Sequence, residues 1–154
     1  MLDRVDAAFF LMWVGISAIP LVAINAFFRC LSFRPKSYFW SAWWVWLAWV
    51  VSSTAVFFIS VFVISRWGIR EELPPLELFF GVFAAMFAVS FIGVAFSMRT
   101  VVNMPSNLQG KELPVALVTN MVAWTSGFAG FVLSGYLFSL LEQLFPPASP
   151  FAIY

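Results

Sequence analysis

The sequence predicts an all-α integral membrane protein with four transmembrane helices in an up-down bundle. Two compositional facts point there: of its 154 residues 63% are hydrophobic and only 10% charged, and the mean hydropathy is +0.97. A water-soluble domain is about half apolar and about a quarter charged, so a chain of this size could not hide so much apolar surface from water. The third observation is the spacing of the charges. They cluster in short segments and leave four apolar stretches, each long enough for the roughly 20 residues that a lipid-crossing helix requires. One domain spanning residues 1–154 is expected, with no room for a second.

The first span is expected from about Ala7 to Phe28, with Asp3, Arg4 and Asp6 before it and Arg29 after it. Two aspartates against one arginine, and an apolar run longer than a signal-peptide core, predict that it stays as a span rather than being cleaved. Pro20 lies near its middle, removes one backbone bond and predicts a kink, with Asn25 following near the membrane edge. The second span runs from about Tyr38 to Ile64, between Lys36 and Arg66, with Ser37 placed as its N-cap. The third runs from about Leu76 to Met98, introduced by Pro74 and Pro75, with Glu77 in its first turn and Arg99 closing it. The fourth runs from about Val115 to Leu141, with Pro114 at its start, where a missing N–H costs nothing. Residues 103–110 read as the longest loop, and Pro146, Pro147 and Pro150 predict an extended tail over 145–154.

Four crossings put both termini on the side of Arg4, Arg66 and Arg70, opposite Arg29, Arg34, Lys36, Arg99 and Lys111. The five basic groups mark their side as cytoplasmic or matrix. Both termini are therefore expected on the non-cytoplasmic side of a bacterial inner membrane or an organelle inner membrane. The same bias argues against a channel that inserts in either orientation.

Candidate functional residues fall into three groups. Phe39, Trp40, Trp43, Trp44, Trp46 and Trp49 crowd the start of the second span. They read first as an interfacial belt, and second as a stacking surface for a flat lipophile. Trp43, Trp46 and Trp49 are then the candidate lipid or quinone contacts, the last two lying deeper than a belt requires. The third span carries Gly81, Ala85, Gly93 and Ser97 at multiples of four, with Ala84 and Ala88 beside them. The fourth carries Ser126, Gly130 and Ser134, with Gly127 alongside. Small residues let helix backbones approach where lipid removes the hydrophobic drive, so Gly81, Ala85, Gly93, Ser97, Ser126, Gly130 and Ser134 are the candidate helix-packing or partner contacts. A row of Phe83, Phe87 and Phe91 is expected to face lipid or a partner subunit. Thr119, Asn120 and Thr125 form a polar cluster suited to helix–helix hydrogen bonding, worth about 0.6 kcal/mol per contact, or to holding a headgroup or ion.

Other chemistries find little support. A net charge of +1 without a basic patch large enough to displace counterions argues against nucleic acid as a partner. The single cysteine, Cys30, excludes an internal disulfide, and is expected as a buried, inert thiol beside Arg29. Histidine is absent, which removes the usual haem ligand, the commonest metal ligand and the commonest general base. Apart from Glu77 near an end, no span holds the ionisable groups that mark proton and ion paths, and no nucleophile elbow or phosphate loop occurs. No catalytic residue, metal site or cofactor is therefore expected, and the chain is not expected to be an enzyme. The expected role is a non-catalytic structural, assembly or accessory subunit of a larger membrane complex. The alternative is a small binding protein or carrier for an apolar ligand such as a quinone or lipid. The expected partners are the lipid bilayer and other membrane subunits.

Overall fold

The structure is a computed structural model that describes residues 4–31, 38–66, 76–100, 102 and 106–144. Its four helices are α1 (Arg4–Cys30), α2 (Tyr38–Arg66), α3 (Leu76–Thr100) and α4 (Glu112–Leu144). All four are long and apolar enough to cross a membrane. Even the shortest, α3 with 25 residues, extends about 37 Å at 1.5 Å per residue, more than the roughly 30 Å of hydrocarbon. The helices therefore overrun the apolar stretches at several ends, since nothing in the headgroup layer obliges a helix to stop where its charges begin. α4 starts at Glu112, which makes Pro114 its third residue. The first four helical N–H groups have no internal partner, so the proline costs no bond there, and Val115 N–H donates to the Lys111 carbonyl at 3.1 Å. Ser37 and the tail from residue 145 lie outside the described residues.

The loop before α4 is partly structured. A 3-10 turn covers Ser106–Leu108, and Lys111 N–H donates to the Leu108 carbonyl at 3.0 Å. Gly110 takes a φ of 81°, which suits a residue without Cβ. Its N–H donates to Glu112 Oε1 at 2.9 Å, tying the turn to the first turn of α4. Leu108 packs against the core and closes this end of the bundle.

Around the bundle the order is α1, α2, α3, α4 and back to α1. The tight pairs are α1 with α4 and α2 with α3, while α2 and α4 meet only across the diagonal. Glycines make both tight pairs. At Gly15 an added Cβ would lie 2.7 Å from the Gly130 carbonyl oxygen and would overlap Ser134 Oγ. At Gly130 it would overlap the Gly15 carbonyl, so here the two backbones touch with no side chain between them. At Gly93 a Cβ would lie 3.1 Å from Ser52 Oγ and 3.2 Å from the Ala48 carbonyl, which sets the α2–α3 spacing.

Burial is uneven along the bundle axis. The core of Ile24, Phe28, Val45, Trp49, Val94, Met98 and Ala116 lies toward the end where α1 hands over to α2 and α3 to α4. In the other half α1 and α4 stay in contact through Gly15, Gly130 and Ser134. No residue of known burial between 54 and 89 is buried, so the far halves of α2 and α3 are not covered by the other pair. In lipid this costs little, because acyl chains solvate apolar side chains as well as protein does.

The glycine contacts predict a sharp contrast between positions. Gly130→Ala forces backbone against backbone and is expected to destabilise the fold by about 1–3 kcal/mol. Gly81→Ala and Gly135→Ala meet nothing within 4 Å and are expected to stabilise the helix by up to about 1 kcal/mol, alanine being the better helix former. Unfolding in mixed detergent micelles measures both, and equal effects at all three positions would refute the α1–α4 contact.

Candidate functional site

The polar groups inside the bundle fall into three arrangements, each produced by a different local need. The first is at the α1–α2 seam. Pro20 has no N–H, so the Ile16 carbonyl loses its helical donor and the backbone near it is loosened. α1 nevertheless runs unbroken through this point. Trp46 of α2 donates its indole N–H to the neighbouring Ser17 carbonyl at 2.7 Å. An adjacent helix supplying a donor near a proline is how membrane helices tolerate the break. Trp43 lies beside Trp46 with ring centroids 4.9 Å apart and the planes tilted by 39°. Trp46 is thereby a structural clamp on α1, and Trp43 is half-buried beside it.

The second arrangement fills the centre. Trp49 is 5% exposed and reaches across the diagonal from α2 to α4. A Cβ at Gly127 would lie 3.2 Å from its Cη2 and 3.5 Å from Pro20 Cγ, so the glycine leaves room for both indole and proline. Trp124 of α4 meets Trp49 edge to face, with centroids 5.8 Å apart, a favoured geometry for aromatic pairs. The Trp49 Nε1 atom is buried and has no hydrogen-bond partner.

The third arrangement joins α3 to α4. Trp124 Nε1 donates to Ser90 Oγ at 3.0 Å, and Ser90 Oγ donates to Asn120 Oδ1 at 3.0 Å. Asn120 Nδ2 returns to the Phe87 carbonyl at 3.2 Å. Ser90 and Asn120 are both fully buried. The amide thus satisfies one side chain and one backbone group of the facing helix, which pins the α3–α4 register. The network contains hydroxyl, amide and indole groups, none of which ionises near neutral pH. It can position helices; it has no acid or base with which to move a proton.

The expected packing residues separate into inner and outer sets. Gly93 and Ser97 lie within the bundle, as do Gly130 and Ser134. Ser126 is half-buried and its hydroxyl donates back to its own helix, to the Val122 or Ala123 carbonyl. Gly81 and Ala85 face outward. On α4, Gly130 and Ser134 pack against α1, and on α3, Gly93 packs against α2. Of the polar cluster, Thr119 and Asn120 are buried and Thr125 is exposed. Thr119 donates to its own Val115 carbonyl at 2.7 Å, so the three do not converge on one pocket. The phenylalanine row is divided too. Phe83 is exposed yet lies 6.4 Å from Trp124, Phe87 lies 6.5 Å from it, and Phe91 packs on the core. Cys30 is exposed, contrary to the sequence expectation of a buried thiol. It lies two residues beyond Phe28, the last buried residue of α1, while its neighbour Leu31 packs against the core.

Sequence reasoning missed Ser90 and Gly15. Ser90 is the lone hydroxyl in the apolar middle of α3, a signal that was available. Gly15 stands alone in α1 without a small-residue series, and its role appears only with Gly130 beside it. Among the described residues no group of three His, Cys, Asp or Glu comes together. No protein family, curated protein or solved structure matches the chain.

The polar network predicts non-additive mutational effects. Asn120→Ala and Ser90→Ala are each expected to cost about 0.6–1.7 kcal/mol, the range for hydrogen bonds between membrane helices. Their combination should cost less than the sum, because each removes the other's partner. A double-mutant cycle on unfolding in micelles reads the coupling, and strict additivity would exclude the bond.

Proposed function

We propose that this chain is a non-catalytic subunit that scaffolds, assembles or stabilises a larger membrane complex. The supporting observation is the outward face of α3. Gly81, Ala84, Ala85 and Ala88 are all exposed, and nothing lies within 4 Å of the position of a Gly81 Cβ. A glycine within a span gains nothing from facing lipid and weakens its helix. Such a smooth surface becomes useful when another helix packs on it. The uncovered far halves of α2 and α3 extend this surface toward the end that carries both termini. The charge bias supports an inner membrane of a bacterium or organelle, with the termini on its non-cytoplasmic side.

A second reading, a carrier for an apolar ligand such as a quinone, draws on Trp49. Its buried indole N–H lacks an acceptor, and a carbonyl oxygen would supply one. Trp46 supports this reading less, because its N–H is already spent on Ser17.

The two readings separate experimentally. Gentle extraction from the native membrane, followed by a native gel and mass spectrometry, is expected to give a heavy band with reproducible companions. Gly81→Leu with Ala85→Leu should dissolve that band while leaving the purified chain's helicity and melting unchanged. A small band holding this chain alone would reject the subunit reading. The carrier reading requires quinone to quench the tryptophan fluorescence and Trp49→Phe to remove the quenching.

A further inference from the structure

We infer that the end of the bundle carrying Arg29, Arg99 and Lys111 is a binding surface for the headgroups of anionic phospholipids. All three side chains are exposed, and among the described residues no carboxylate forms an ion pair with any of them. The only acid described at this end is Glu112, whose carboxylate accepts the Gly110 N–H at 2.9 Å. It is held below its ordinary pKa first by backbone hydrogen bonds and then, more weakly, by the charge of Arg99, with which it forms no ion pair. Among the described residues this end therefore carries three cations against one acid, one of whose oxygens already accepts a backbone hydrogen bond.

Depth selects the occupant. The first turns of α2 present exposed Phe39, Trp40 and Trp44 at the same end, and aromatic side chains of this kind settle at the headgroup level. Arg29 and Arg99 lie in the last turns of α1 and α3, where the helix dipole favours a cation but leaves the guanidinium N–H groups free. Val102 and Leu108 fold onto the core, which holds Lys111 close to the end of the bundle rather than out in water. Unpaired cations at that depth face lipid phosphates before they meet a soluble partner, and a guanidinium fits a phosphate with two parallel hydrogen bonds. This inference is independent of whether the chain is a subunit or a carrier.

The test uses the full chain reconstituted in vesicles of equal parts phosphatidylglycerol and phosphatidylcholine. The protein is then extracted gently, and the co-purifying lipid is quantified by mass spectrometry. Phosphatidylglycerol should be enriched several-fold over its share of the vesicle. Each cation is expected to contribute about fivefold to the preference at most, so the triple variant Arg29→Gln, Arg99→Gln and Lys111→Gln should lose most of it. Should that variant fail to insert, the wild-type chain decides the matter at about 1 M salt, where the screening length falls to about 3 Å and the enrichment should collapse. A lipid ratio equal to that of the vesicle, or an enrichment that survives the triple change or high salt, overturns the inference. So does displacement of the bound lipid by millimolar inorganic phosphate or by an acidic peptide, since either would make this a general anion surface.

Discussion

The contact between Gly15 and Gly130 is the constraint on which the rest of the bundle depends. In hydrocarbon an apolar side chain gains almost nothing by leaving lipid for protein, so helices associate through close packing and hydrogen bonds. With no side chain at either position, α1 and α4 approach until backbone meets backbone. That approach places Pro20 and Gly127 side by side, and Gly127 then leaves the space that the Trp49 indole enters from α2. A bulkier residue at any of these glycines would push α1 from α4, and the central tryptophan would lose its seat.

Once the pairs are set, the polar side chains follow from the cost of leaving backbone and amide groups unsatisfied in lipid. Trp46 serves the carbonyl beside the proline break. Asn120 reaches both Ser90 and the Phe87 carbonyl. Ser17, Ser52 and Thr119 return their hydroxyls to carbonyls of their own helices. The bonds of Trp46, Asn120 and Trp124 cross between helices, joining α1 to α2 and α3 to α4. They therefore tie together the two glycine-packed pairs, which have no comparable backbone contact with each other.

The bundle has a closed end and an open one. Toward the basic end all four helices converge on a core capped by Leu108 and Val102. Toward the end with both termini, no residue of known burial in the far halves of α2 and α3 is buried. Among the described residues the closed end presents basic side chains, Arg29, Arg99 and Lys111, and the open half presents the smooth apolar surface. A chain built this way has two distinct outward faces within the membrane, one suited to headgroups and one to helices.

The sequence by itself determined the class, the number of crossings and the approximate limits of each helix. Those properties depend on composition summed over some twenty residues, and charges such as Arg29, Arg66 and Arg99 mark the limits sharply. It did not determine which faces meet. These helices are apolar around their whole circumference because lipid and protein interior demand the same side chains, so periodicity carries little information about burial. Gly81 and Gly130 look alike in sequence, yet one faces outward and the other touches a neighbouring backbone. Trp40 and Trp49 belong to one aromatic run, yet one is exposed and the other plugs the bundle. Asn120 was recognisable as a hydrogen-bonding residue, but its partner Ser90 lies 30 residues away in the chain. Only the tertiary structure decided these cases, because a small-residue contact or a buried hydrogen bond is a property of two helices at once.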